Sequence, residues 1–192
     1  LLSIALNSAI FGAMEPLRKW VLQRSSLARR LELRDDPLAQ LPMSTDHRVL
    51  SGQVVLVGYG RVGKLIGAAL AEANIPFVVA EQNRERVDAL RRDGMSAVCG
   101  DASTPEVLIQ AHIARAAMLV VATTGAVDMR RMVKIARTLN PEIRVALRSQ
   151  GEEEADLLRK DTDAMVFLAE SELGRGMSDH VLAHMLGSPA RP

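Results

Sequence analysis

The chain has 192 residues, with 24 basic and 23 acidic side chains and a formal net charge of +1. This balance excludes the strongly basic footprint of a nucleic-acid-binding protein, and 3% aromatic residues leave few platforms for stacking bases. The single cysteine, Cys99, excludes an internal disulfide and is typical of a reducing compartment. It lies in an apolar run, so we expect a buried thiol.

Residues 1–34 are predicted to form the end of a transmembrane helix and a basic helix that follows it outside the membrane. The sequence begins with Leu rather than Met, and we expect it to be a fragment of a longer chain. Residues 1–14 are almost wholly apolar but too few to span a bilayer, which needs about 20 residues. Trp20 and a basic cluster follow, a pattern typical of a transmembrane helix that exits into the cytoplasm. A soluble amphipathic helix packed on the domain is the alternative.

Residues 35–50 are predicted to form a linker, followed by a domain at 51–186 and a flexible tail at 187–192. In the domain, short apolar runs alternate with helical patterns, as expected for parallel strands that are buried on both faces. Strands are predicted at 54–58, 76–81, 96–100, 117–123, 144–148 and 165–169, and helices at 62–73, 83–93, 104–111, 126–139, 152–160 and 171–186. This pattern predicts a Rossmann-type α/β domain with a doubly wound, parallel, six-stranded sheet in the order 3-2-1-4-5-6.

The turn after the first predicted strand has the pattern G-x-G-x-x-G, in Gly58-Tyr59-Gly60-Arg61-Val62-Gly63. A strand, a glycine turn and a helix in this order form the context that the dinucleotide-binding motif requires. Gly58 permits the tight turn, Gly60 leaves room for a phosphate, and Gly63 lets the helix approach the strand. The free N–H groups at the helix start favour an anion, with which Arg61 could pair. The alternative is a strand-to-helix turn that binds nothing.

The second predicted strand ends on Glu81, which lies 23 positions after Gly58. The acid that binds a nucleotide ribose is expected about 20 residues after this motif. A carboxylate there accepts hydrogen bonds from the 2′- and 3′-hydroxyls and repels a 2′-phosphate, which favours NAD or AMP-type ligands over NADP. The alternative is a solvated acid at the start of the next helix.

Further candidates lie at the carboxyl ends of the other strands, because ligands of doubly wound sheets bind outside those ends, where the strand order reverses. Asp101 is a candidate acceptor for an adenine amino group, or else a turn acid. Thr123 and Thr124 are candidate donors to ribose or phosphate, or else caps of the next helix. Gln82 and Ala102 complete the predicted cofactor-binding set, and no residue is assigned to catalysis or to a metal.

Four stretches together resemble the TrkA-N domain, also called the RCK nucleotide-binding domain: VVLVGYGRVG, PFVVAE, CGDAS and LVVATTG. Within this family the chain looks most like the cytoplasmic tail of Kef-type monovalent cation:proton antiporters of the CPA2 family. Residues 1–14 resemble the end of their last transmembrane helix. The resemblance implies an adenine nucleotide, NAD(H), AMP or ATP, on Gly58–Gly63, with Glu81 on the ribose and Asp101 and Ala102 near the adenine. It also implies an upstream transmembrane transport domain in an inner-membrane protein.

The leading hypothesis is a regulatory domain rather than an enzyme, in which nucleotide binding shifts the equilibrium between two arrangements of a domain pair. A soluble NAD-dependent oxidoreductase is the first alternative, although Tyr59, the only tyrosine, lies in the glycine turn and little chain remains for a substrate domain. An S-adenosylmethionine methyltransferase is the second, and that fold usually ends in an antiparallel strand.

RCK-type domains usually act in pairs, so the resemblance also implies a two-fold homodimer. The helix predicted at 126–139 has an apolar stripe formed by Met129, Met132, Val133 and Ala136. We expect this stripe to face the domain's own sheet, with a dimer contact as the alternative.

Overall fold

The computed structural model describes residues 38–42 and 50–186. The predicted membrane-exit segment at 1–34, most of the predicted linker and the predicted tail at 187–192 lie outside the described residues. In the part of the chain that is described, no helix is both long and apolar enough to cross a membrane.

Strands and helices alternate along the described chain. The strands are β1 (Val54–Val57), β2 (Phe77–Glu81), β3 (Ala97–Cys99), β4 (Met118–Val121), β5 (Arg144–Ser149) and β6 (Met165–Leu168). The helices are α1 (Arg61–Glu72), α2 (Arg84–Arg92), α3 (Pro105–Gln110), α4 (Ala126–Leu139), α5 (Glu152–Asp161) and α6 (Ala169–Leu186). A 3₁₀ turn at Ile113–Arg115 precedes β4 and was not expected from the sequence. Every predicted strand and helix is present.

The six strands form one sheet in the order β3-β2-β1-β4-β5-β6, and each neighbouring pair is parallel. This order confirms the predicted doubly wound sheet. Over the described residues the sheet contains no antiparallel strand of the kind in which the methyltransferase fold usually ends. The chain runs outward in opposite directions from β1 and β4, so a crevice opens beyond the carboxyl ends of these two strands.

One face of the sheet is closed by α3, α4 and α5. Its core includes Val55, Val57, Leu119 and Val121 from the central strands. The apolar stripe of α4 lies in this same core: Met129, Met132, Val133 and Ala136 are all buried. The stripe therefore faces the domain's own sheet, as expected, and the alternative of a dimer contact on it is wrong.

On the opposite face, α1 and α2 pack over β1, β2 and β3. Leu56, Val79 and Cys99 lie in that core, and the prediction of a buried thiol is confirmed because Cys99 is only 7% exposed. Within the described part of the chain, an apolar groove of about 650 Å³ remains over β4, β5 and β6. Leu65 of α1 and Phe167 of β6 are among the residues that line it.

Candidate functional site

Two glycines of the turn between β1 and α1 have no room for a side chain. Gly58 has a φ of +84°, and a Cβ there would lie 2.5 Å from Cγ2 of Thr123. A Cβ on Gly63 would lie 2.0 Å from the carbonyl oxygen of Gly58. Both contacts are far inside van der Waals distance. Gly63 is therefore required by the close approach of α1 to β1, and Gly58 by its positive φ and by the loop that follows β4.

The third glycine of the motif, Gly60, is not required by packing. It is the N-cap of α1, and a Cβ built on it would meet nothing within 4 Å. Among the residues that the structure describes, no side chain caps α1, and the first turn of this helix contains no acidic residue. The first N–H groups of this helix, and its positive dipole end, thus face open space that an anion can enter. Arg61, at the first helical position, is exposed beside them.

Glu81, the last residue of β2, is 8% exposed and accepts hydrogen bonds from three donors. Its Oε2 accepts from the Tyr59 N–H at 2.8 Å and from the Arg86 guanidinium at 2.9 Å, and its Oε1 accepts from the Asn83 N–H at 2.9 Å. Burial raises the pKa of Glu81, but these donors outweigh it and hold the pKa below its ordinary value. The side chain is therefore a buried carboxylate, not the solvated acid of the alternative interpretation, and Oε1 can accept one further donor.

Asp101 follows β3 and shapes the next turn. Its Oδ1 accepts the Ser103 N–H at 2.8 Å, and that bond holds the pKa of Asp101 below its ordinary value, with a smaller contribution from the Gln82 side chain. Asp101 thus stabilises its own turn and also lines the cleft described below, and its role toward an adenine stays a prediction.

The loop between β4 and α4 forms the opposite wall of the crevice. Neither Thr123 nor Thr124 caps α4, because the N-cap is Gly125 and no side chain of the loop bonds to the helix start. The Gly125 N–H instead donates to Oε1 of Glu154 at 3.1 Å. Oε2 of Glu154 accepts from the Ser149 hydroxyl at 2.9 Å and from the Gln150 N–H at 3.1 Å.

Glu154 is ionised at neutral pH. Burial raises its pKa, but hydrogen bonds from Gln150, Ser149 and Gly125 outweigh that effect and hold the pKa below its ordinary value. A protein carboxylate therefore already occupies the positive end of α4. Sequence reasoning missed Glu154, because the acidic start of α5 does not reveal which neighbouring helix it reaches.

These elements enclose a cleft of about 190 Å³ at the carboxyl ends of β1, β2, β3 and β4. Most of the predicted residues line it: Gly58, Glu81, Gln82, Asp101, Ala102, Thr123 and Thr124. Asp128 and Met132 of α4 also line it, and neither belongs to the predicted cofactor-binding set.

Tyr59, Gly60, Arg61, Val62 and Gly63 form the turn beside the cleft rather than its wall. The Tyr59 ring turns away into the core, where a Cβ on Gly67 would lie 2.7 Å from it and the hydroxyl lies 3.6 Å from the Met95 sulfur. Only the backbone of Tyr59 therefore faces the site, through its bond to Glu81.

The TrkA-N domain model matches residues 54–168, the whole sheet from β1 to β6. The chain belongs to the TrkA-N domain family. A relative of this TrkA-N chain is YbaL of Escherichia coli K12, named as a cation/proton antiporter, which is 33% identical over 178 residues. That alignment covers 92% of the chain but only 30% of YbaL, so the chain spans less than a third of that relative.

Solved structures show the same fold. The TrkA-N domain of the inner membrane protein YbaL from Escherichia coli superposes with a TM-score of 0.64 at 35% identity, covering 67% of this chain and 96% of that one. The Kef C-terminal domain of Shewanella denitrificans, in its AMP-bound form, gives 0.57 at 20% identity, covering 68% and 80%. The GsuK channel bound to NAD gives 0.56 at 22% identity, covering 78% and 25%.

Proposed function

We propose that this TrkA-N domain binds an adenine nucleotide with unmodified ribose hydroxyls in the cleft. A phosphate would lie against the open start of α1 at Gly60, and the ribose hydroxyls would donate to Oε1 of Glu81. The adenine would lie toward Asp101 and Ala102, with Thr123 and Thr124 on the facing wall. NAD(H), AMP and ATP all contain the adenine, the ribose with free hydroxyls and the phosphate that these contacts require.

One observation carries this proposal: an uncapped helix start and a buried, charged carboxylate stand side by side at the switch point of the sheet. An anion is favoured at the first, and the second can accept one further hydrogen bond from a hydroxyl group. The AMP-bound Kef domain and the NAD-bound GsuK channel have the same fold, and their ligands agree with this chemistry.

We further propose that the domain is the nucleotide-sensing, cytoplasmic regulatory part of a monovalent cation:proton antiporter of the inner membrane. The similarity to YbaL over nearly the whole chain supports an upstream transport domain as its partner. Occupancy of the cleft regulates transport only if the nucleotide binds one arrangement of the domain better than another, because equal affinity shifts no equilibrium.

A binding role is favoured over that of an oxidoreductase by the chemistry of the cleft. The titratable side chains among its described lining residues are the carboxylates Glu81, Asp101 and Asp128. Glu81 is committed to three donors and Asp101 to its own turn, so two of the three carboxylates are not poised to move a proton from a substrate.

Calorimetry of the 192-residue chain with AMP, NAD and NADP tests the nucleotide site. We expect AMP and NAD to bind and NADP to bind at least about tenfold more weakly, because its 2′-phosphate would face the Glu81 carboxylate. Equal affinities for NAD and NADP would contradict the role of Glu81, and absence of binding by all three would contradict the nucleotide site itself.

We also propose that the domain forms a two-fold homodimer through its open apolar face. Leu173, Met177, Val181 and Met185 follow one another at intervals of four along α6, and each is more than half exposed. Leu173 also lines the groove over β4, β5 and β6, so stripe and groove form one continuous apolar surface. A two-fold axis places the same patch on both partners, which allows such a surface to cover itself.

Sedimentation velocity of the 192-residue chain tests the dimer. Val181→Glu introduces a charge into the stripe and should shift the chain to monomer. Gly176→Glu is the matched control, since it places the same charge on another side of α6 where a Cβ meets nothing within 4 Å. A wild-type monomer, or a dimer that survives Val181→Glu, would contradict this interface.

A further inference from the structure

The outer edge of β3 is covered by the segment at residues 38–42. β3 is the last strand on its side of the sheet, and such a strand presents unpaired backbone groups. Its Cys99 N–H donates to the Leu38 carbonyl at 2.7 Å. Its Ala97 carbonyl accepts from Nε of Arg91 at 2.9 Å and from Nη2 at 2.7 Å. Residues 38–42, which we call the strap, thus pass over the edge of this strand and are bonded to it directly at Cys99.

Arg91, on α2, holds the strap and the strand together. Besides its bonds to β3, its Nη2 donates to the carbonyls of Leu38, at 3.0 Å, and Gln40. Guanidinium is suited to this position because its fixed fork of donors can reach several carbonyls at once. One side chain therefore joins a helix, a strand edge and the strap.

Apolar contacts fix the strap on both sides of the sheet. Leu38 packs against the core that contains Leu56, beneath α1 and α2. Leu41 packs against the other core, the one that contains Val55. The strap therefore crosses the edge of the sheet from one face to the other.

The strand under the strap leads directly into the candidate cleft. Cys99 is followed by Gly100 and Asp101, both of which line the cleft. The Gly100 N–H donates to the Glu81 carbonyl at 3.1 Å, so the strand that carries Glu81 is tied to the same turn. The strap also precedes β1 in the chain, so it connects the domain to everything upstream.

We propose that docking of the strap on β3 is coupled to occupancy of the cleft, with Arg91 as the residue that positions the strap. The inference rests on the nucleotide binding proposed above. A nucleotide orders the carboxyl end of β3 at Gly100 and Asp101, and the docked strap orders the edge of the same strand. Nucleotide binding and strap docking each reduce the conformational entropy that the other must lose, so each event favours the other. Occupancy is then passed to the chain upstream through the strap.

Two variants each remove one of the contacts that hold the strap on β3, one by changing the domain and one by changing the strap. Arg91→Gln removes the guanidinium, and Leu38→Ser removes the apolar anchor while leaving α2 and β3 unchanged. Arg92→Gln is the matched control, since Arg92 is the neighbouring arginine on α2 and, among the described residues, its side chain bonds to the Asp88 carbonyl of the same helix, at 3.3 Å. All variants are made in the 192-residue chain, and thermal unfolding checks that each remains folded.

Hydrogen exchange of the Cys99 amide, without nucleotide, reports docking. We expect Arg91→Gln and Leu38→Ser to exchange at least about tenfold faster than wild type and Arg92→Gln to exchange at the wild-type rate. Unchanged exchange in both strap variants would overturn the docking on β3.

Calorimetry with AMP then reports coupling. We expect both strap variants to bind AMP about fivefold or more weakly than wild type, and the double variant to bind no more weakly than the weaker single variant. If both variants expose the Cys99 amide but bind AMP as wild type does, the strap only protects the strand edge and the coupling is wrong. Additive losses would show two separate structural effects and would overturn it too. Wild-type protein that binds no AMP, NAD or NADP would instead overturn the proposed function, and the coupling with it.

Discussion

The two helices that begin at the switch point of the sheet, α1 and α4, differ in what meets their N-termini. Over the described residues, α1 has an open glycine N-cap, no capping side chain and no acid in its first turn. α4 has Asp128 in its first turn, and the N–H of its N-cap Gly125 is bonded to Glu154. The fold supplies two equivalent positive helix ends, and side chains from elsewhere in the chain decide that only one stays open to an external anion.

The largest effect is expected where α1 touches β1. Gly63→Ala places a Cβ 2.0 Å from the Gly58 carbonyl oxygen, a backbone atom that can move only by displacing the helix from the sheet. We expect a loss of about 3 kcal/mol or more in the free energy of unfolding, measured in urea. Gly151→Ala is the control, because a Cβ at this N-cap of α5 meets nothing within 4 Å. Equal stabilities would show that α1 is not held by that close approach.

A second change blocks the open helix end without disturbing packing. Gly60→Val fills the space above α1 and should weaken AMP binding about 100-fold, while the free energy of unfolding changes by no more than about 1 kcal/mol. Gly151→Val makes the same change at the start of α5, where the site has no part, and should leave the affinity unaltered. Calorimetry beside circular dichroism measures both. A folded Gly60→Val protein with wild-type affinity would mean that the glycine turn binds nothing.

Glu81 links the open N-terminus of α1 to the sheet, and the stability that its charge provides depends on pH. Glu81→Gln leaves one of three N–H donors facing an amide NH₂, which should cost about 2 kcal/mol at pH 7. Because folding lowers the pKa of Glu81, its stabilisation is complete above the unfolded pKa and disappears as pH falls through the folded one. The difference in the free energy of unfolding between wild type and variant, measured in urea, should therefore be smaller at about pH 3 than at pH 7. A gap that is the same at both pH values would contradict this, and the exposed Glu85→Gln serves as control.

The smallest effect is expected at the closed helix end. Glu154→Gln weakens the bonds to Ser149 and Gly125 and should cost about 1 kcal/mol of stability. AMP affinity should change less than about twofold, because the carboxylate closes α4 rather than binding the ligand. A tenfold loss of affinity would place Glu154 in the nucleotide site and remove the difference between the two helices.

Local pattern was enough to predict the sheet, its order and the position of the glycine turn. Each strand is a short apolar run, the glycines are spaced as one turn requires, and Glu81 ends a strand. These features are encoded within a few neighbouring residues, and right-handed crossovers leave few ways to order the strands. The residues predicted at the strand ends consequently meet in one cleft, although their role in binding remains a prediction.

Only the tertiary structure decided which side chains serve the site and which serve the core. The Tyr59 ring packs inward, the α4 stripe faces the sheet, and Glu154 reaches Gly125, which lies 29 positions away in the sequence. Arg91 holds Leu38, which lies 53 positions away. Such contacts depend on how helices and strand edges from distant parts of the chain are brought together, and no local period or spacing records that. The amino-acid pattern could therefore predict where a nucleotide site would form, while packing decided which helix end stays open for it.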